Sequence, residues 1–215
     1  MAELEFTVEG AEAVPFCASP TLALKLRVTN RAEDRVEAVA LDCQVRLEAQ
    51  RRRYSAVEKE RLVELFGEPG RWSETLRSLL WTHAHASLPP FEGEARVDLH
   101  VPCSADFNVA AAKYFHGLQE GGVPVTLLFS GSVFHRDAEG ALQVERIPWT
   151  AEATYDLPVA TWKDLLQLYF PNTAWLTLRQ DVFDRLYAFQ VHRGLPTWEQ
   201  ALEELLSHIE EASPR

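Results

Sequence analysis

The 215-residue sequence predicts an α+β fold, an antiparallel β-sandwich with inserted helices and a C-terminal helical segment packed on it. Three observations carry that expectation. Apolar and polar residues alternate through two early runs, with the two-residue period of half-buried strands. Helix signals interrupt the strand-like pattern near residues 55–80 and 108–118. After Pro158 the spacing becomes helical, so 1–158 reads as a mostly β body and 159–215 as a three-helix segment docked on it.

Taken in order, a strand around Leu4–Val8 opens the chain. Leu22, Leu24, Leu26 and Val28 then share one face, opposed by Lys25, Arg27 and Thr29. After a turn at Asn30–Glu33, Val39, Leu41, Cys43, Val45 and Leu47 share another. These runs suggest a meander with one wet face. Ser55 and Glu58 have capping-box spacing, each side chain able to satisfy a free N–H at a helix start. The helix they open sets Val57, Leu62, Leu65 and Phe66 near one face and stops at Gly67 and Pro69, with a second short helix over Ser73–Leu80.

Ala95–Val101 reads as a strand, and Asn108 as the cap of a helix over Val109–Leu118. Val123–His135 is apolar enough for the centre of a sheet, with Ser130-Gly131-Ser132 marking a bend or bulge. Leu142–Ile147 and Ala151–Tyr155 return beyond the turn at Asp137–Gly140. Helices follow over Thr161–Tyr169 and Thr177–Arg193, and Thr197 with Gln200 caps the last. Tryptophans at the junctions, Trp149, Trp175 and Trp198 among them, are expected to lock helices onto a sheet.

Composition narrows the function classes. A 47% hydrophobic content supports a packed core and excludes a disordered chain. A net charge of -11 opposes broad binding to nucleic acid or an anionic membrane. No apolar run reaches the roughly 18 residues of a membrane span, and the acidic start Met1-Ala2-Glu3-Leu4-Glu5 is unlike a secretory signal. Cys17, Cys43 and Cys103 are widely spaced and odd in number, which fits reduced thiols in the cytoplasm. Cys43 alternates inward with Leu41 and Val45 and should be an inert, buried thiol.

Motifs for catalysis are missing. Phe129-Ser130-Gly131-Ser132-Val133 lacks the first glycine of a nucleophile elbow, and Gly121-Gly122 has neither phosphate-loop spacing. His83 and His85 would lie on one side of an extended chain and, with His100 and Cys103, offer imidazole and thiolate ligands for a metal. Their spacing matches no strong zinc pattern, and two loop histidines with one buried cysteine is the simpler reading. No enzyme activity, metal or cofactor is assigned. Arg51, Arg52, Arg53 and Tyr54 form a basic run in an acidic chain and could dock an acidic partner through forked hydrogen bonds and stacking. Pairing with Glu48, Glu58 or Glu60 within the chain is the competing expectation.

The junction motifs together resemble a known family. Gln50-Arg51-Arg52-Arg53-Tyr54, Leu65-Phe66-Gly67-Glu68-Pro69-Gly70-Arg71-Trp72, Leu80-Trp81-Thr82-His83, Val101-Pro102-Cys103 and Leu128-Phe129-Ser130-Gly131 occur in order. Tyr169-Phe170-Pro171-Asn172 with Trp175-Leu176, and Leu195-Pro196-Thr197-Trp198, complete the set. The series is similar to a bacterial, mainly actinobacterial family of unknown function, often encoded beside nickel–iron hydrogenase genes. The resemblance implies a hydrogenase-associated accessory role, with a hydrogenase subunit or maturation factor as partner, and carries over no catalytic residue. The expected function is therefore a non-enzymatic, protein-binding accessory role. The alternatives are a metal-handling or small-molecule-binding protein and a chaperone-like holder of unassembled chains.

Overall fold

Strands β1 (Leu4–Ala13), β2 (Thr21–Asn30) and β5 (Glu94–Pro102) form one antiparallel sheet in the order β1-β2-β5. A second sheet has the order β4-β3-β6-β7, from β3 (Val36–Leu47), β4 (Leu79–Leu88), β6 (Gly122–Arg136) and β7 (Leu142–Arg146). Its fifth strand, β8 (Glu152–Pro158), also pairs with β6. The computed structural model describes residues 3–32, 34–103, 109–173 and 178–212. Glu33, the expected cap Asn108, and Trp175, Leu176 and Thr177 lie outside them.

The inner faces of the sheets pack together as the alternation requires. Leu22, Leu24, Leu26 and Val28 of one sheet, and Val39, Leu41, Cys43, Val45 and Leu47 of the other, are all buried. Phe6 of β1 stacks on Phe129 of β6 with ring centroids 4.2 Å apart, joining the two sheets directly. The expected meander is corrected here. β2 and β3 do not pair, because the chain crosses from one sheet to the other between Asn30 and Val36. Alternation fixes which face is buried, but both sheets turn an apolar face to the same core.

The helix expected over Ser73–Leu80 ends early, and strand β4 takes its last two residues. Only Trp72–Thr75 is helical (α3), and the chain is extended from Leu79. The helix expected after Ser55 breaks at Leu62 into α1 (Ala56–Arg61) and α2 (Val63–Phe66). Its capping box forms: Glu58 N–H donates to Ser55 Oγ at 3.2 Å, and Ser55 N–H to Glu58 Oε2 at 2.9 Å. Leu62 and Phe66 are buried as expected, whereas Val57 is exposed. α4 (Val109–Gly117) adds the buried Tyr114 and Phe115.

Gly131 marks where β6 changes partners. Its φ of 129° and the approach of Ala40 O, 2.0 Å from where a Cβ would sit, admit only glycine. On one side β6 pairs with β8 through residues 122–128, and on the other with β7 through 132–136. The excursion between those strands carries Trp149, which is 91% exposed and so not the junction lock expected of it.

The boundary expected at 158 lies later in the structure. Compact units cover 1–173 and 174–215, and α5 (Val159–Tyr169) belongs to the first, burying Val159, Trp162 and Leu165. Trp162 stacks on Phe115 at 4.5 Å and meets Trp81 at 6.1 Å, so α4, α5 and β4 share an aromatic seam. In the second unit, α6 (Gln180–Arg193) ends at Gly194 in the left-handed conformation, and α7 (Trp198–Ala212) follows. Thr197 Oγ1 accepts from Gln200 N–H at 3.2 Å, as the sequence suggests. Phe183, Tyr187 and Trp198 cluster between these helices, and Arg193 pairs with Glu204 at 2.9 Å.

Candidate functional site

The basic run leaves the sheet through a 3₁₀ turn at Ala49–Arg51, anchored by the buried Ala49, and continues extended at Arg52 with φ -99° and ψ 148°. Extended backbone sends successive side chains to opposite sides. Arg51, at the end of the turn, and Arg53 are exposed, while Arg52 and Tyr54 turn toward the protein. The four residues expected to face a partner thus divide by parity.

Arg52 is the inner anchor. Its Nη2 pairs with Glu58 Oε1 at 2.9 Å, with both side chains buried. Nε donates to Gly122 O at 2.9 Å, and Nη2 also reaches Glu120 O. One guanidinium therefore ties the basic segment to α1 and to the start of β6. Glu58 completes the knot, its Oε1 also accepting from Gln119 N–H at 2.9 Å. Burial alone would raise the Glu58 pKa. The hydrogen bonds from Arg52, Gln119 and Ser55 outweigh it and hold the carboxyl at about 2, so it is ionised at neutral pH.

Tyr54 is the second anchor. Its hydroxyl donates to Ala49 O at 2.7 Å and lies 2.7 Å from Tyr114 Oη, and burial raises its pKa. Its ring meets Trp72 edge-on at 5.2 Å, and Arg52 Cζ sits 5.2 Å from its centroid. Arg52 and Tyr54 are thus corrected from partner residues to internal ones. Pairing with Glu58, the competing expectation, is what Arg52 does.

Arg51 and Arg53 remain on the surface with no ion pair among the described residues. They rim a groove of about 530 Å³ whose floor is the outer face of β6 and β8, including Thr126, Thr154 and Asp156. The groove adjoins a second cavity of about 410 Å³ that shares Gly122 and Asp156 and ends at Lys163. No single motif marks this groove, because its rim and floor join three segments distant in sequence.

The metal candidates do not meet. His83 and His85 project from the outer face of β4, where His83 Nε2 lies 3.2 Å from Gln44 Nε2 and His85 Nδ1 lies 2.5 Å from Asp42 Oδ1. His100 is exposed on β5, on the outer face of the other sheet, and Cys103 is buried with Sγ donating to Val101 O at 3.1 Å. Opposite outer faces separate these groups. Among the described residues no three His, Cys, Asp or Glu side chains are grouped to hold a metal. Burial raises the thiol pKa of both Cys43 and Cys103 to about 12.

Fold and site together define an α+β sandwich with an arginine-rimmed groove on its outer face. No helix among the described residues is long and apolar enough to cross a membrane. The chain belongs to a family of unknown function, DUF6084, which it matches over residues 1–214. A search of the curated proteins finds no match. Among solved structures, a β-glucosidase from Kluyveromyces marxianus is similar at 12% identity and a TM-score of 0.27. The likeness covers 72% of this chain and 15% of that one, and neither fold nor activity transfers at that level.

Proposed function

We propose that this protein is a non-enzymatic accessory protein that docks another protein at the groove rimmed by Arg51 and Arg53. The observation supporting this reading is the pairing of two exposed guanidiniums with a fixed backbone. Arg52 and Tyr54 hold the segment between them, so the exposed pair presents its forks with little further loss of backbone freedom. Arginine suits such a surface because its planar donors grip carboxylates in pairs. The family likeness makes a nickel–iron hydrogenase subunit or maturation factor the partner to seek first.

The test is co-purification from a native host with the unaltered chain and with Arg51→Glu and Arg53→Glu combined. Neither side chain is buried, so the double variant should fold. Loss of a specific partner with retained circular dichroism supports the reading, and unchanged recovery overturns it.

A further inference from the structure

Strand β7 ends the second sheet, and its outer edge is open. The bonds at its two ends fix which backbone groups that edge presents. Asp137 N–H donates to Ala141 O at 3.0 Å, and Ile147 N–H donates to Gly131 O at 3.1 Å. Hydrogen-bonded pairs recur at every second residue of an antiparallel ladder, so the bonded pairs between these ends are His135 with Gln143 and Val133 with Glu145. The N–H and C=O groups of Leu142, Val144 and Arg146 therefore point away from β6. Among the described residues these groups have no hydrogen-bond partner.

The same three residues carry their side chains on the outer face. Val144 lies opposite Phe134, which alternates with the buried Val133, and Leu142 and Val144 are 55% and 57% exposed. Soluble sheets guard their edges with bulges, charges, lysine or proline. β1 has a bulge between Val8 and Gly10, β4 an irregular register opposite Val45 and Arg46, and β5 the charges of Glu94, Arg96 and Asp98. β7 pairs without a register shift and contains neither lysine nor proline, and its inward carboxylate, Glu145, is turned to His135 at 3.3 Å.

The sequence of β7 selects what completes this edge. Two copies set antiparallel about a two-fold axis at Val144 place Val144 against Val144, Leu142 against Arg146 and Gln143 against Glu145. No like charges oppose each other, the Gln143 amide meets a carboxylate, and Leu142 lies along the aliphatic stem of Arg146. The phase also agrees, because the three residues with open backbone groups face one another. Two hydrogen bonds at each of these three facing pairs make six.

We infer that β7 is a self-association edge, through which two copies of this chain join their second sheets about a two-fold axis at Val144. Five residues from each copy make a short seam, so the dimer dissociates on dilution, in the micromolar range. The groove rimmed by Arg51 and Arg53 lies over residues 122–126 of β6, whereas β7 pairs with 132–136, so this inference stands apart from the docking reading.

Sedimentation velocity of the full chain from about 3 to about 300 µM tests it. The mean mass should rise from that of one chain towards two. Val144→Lys sets two ammonium groups face to face, and Val144→Pro removes only an outward N–H at a position where an edge strand admits proline. Both variants should associate at least about tenfold more weakly with unchanged circular dichroism, whereas Val144→Ile should match the unaltered chain. Where Val144→Pro alters the circular dichroism, Val144→Lys decides. Hydrogen exchange read by nuclear magnetic resonance should slow with concentration at the amides of Leu142, Val144 and Arg146. A chain still monomeric at about 300 µM overturns the inference. Undiminished association of Val144→Lys places the contact elsewhere and also overturns it, as does association that leaves those three amides unprotected.

Discussion

Replacing Glu58 with glutamine tests whether the Arg52–Glu58 pair organises the groove wall. The change keeps the shape of the side chain but removes its charge, leaving Arg52 buried without its counterion. It also turns an amide donor toward a backbone donor, since Ser55 N–H now bonds Oε2. The charge contribution follows from the carboxyl pKa, which falls from 4.5 to about 2 on folding. That drop is equivalent to about 3 kcal/mol of stability. Because the folded pKa is the lower one, the contribution is complete above pH 4.5 and is lost as pH falls toward 2. About 2 kcal/mol of it is gone by roughly pH 3. Urea unfolding of both proteins, followed by circular dichroism across this range, measures the difference. Other carboxylates titrate alike in the two chains, so the change of that difference with pH isolates Glu58. The variant should be about 3 kcal/mol less stable near neutrality, with the gap narrowing in acid. A gap below about 1 kcal/mol near neutrality, or one that does not change with pH, would refute the assignment.

Two further outcomes follow from the packing. Gly131→Ala forces a methyl group against Ala40 O in a left-handed backbone conformation, and should lower stability by several kcal/mol, roughly 3 or more. A melting temperature within a few degrees of the unaltered chain would show that β6 tolerates a side chain where it changes partners. Native-state labelling with a thiol reagent should modify Cys17, which is partly exposed, well before Cys43 and Cys103, which are buried with thiol pKa values near 12. Peptide mapping by mass spectrometry reads the order, and early modification of Cys43 or Cys103 would contradict the buried core.

The α+β class and most element positions were legible because they depend on local signals. Alternation at Leu22–Val28 and Val39–Leu47 identified two strands, and the Ser55–Glu58 spacing identified a helix start to the residue. Strand pairing was not legible, since the partner of an amphipathic strand is chosen by packing across the core. β4 escaped notice because two neighbouring positions of its inward face are Ala84 and Ala86, which give little contrast in hydrophobicity. The end of the β body was placed at Pro158, where the period changes. Compactness follows burial instead, and Trp162 and Leu165 bind α5 to the sheets.

The candidate site shows a subtler limit. Arg51-Arg52-Arg53-Tyr54 was visible as a charge cluster, and a cluster invites reading as one surface. The missing signal was that exposure alternates along the run, Arg51 and Arg53 outward and Arg52 and Tyr54 inward, and the inward pair explains why the outward pair can act. Arg52 bonds Gly122 O and Glu58 while Tyr54 bonds Ala49 O, so the segment is tied at both its inward positions. A rigid segment loses less freedom when its exposed arginines are engaged than a loop would.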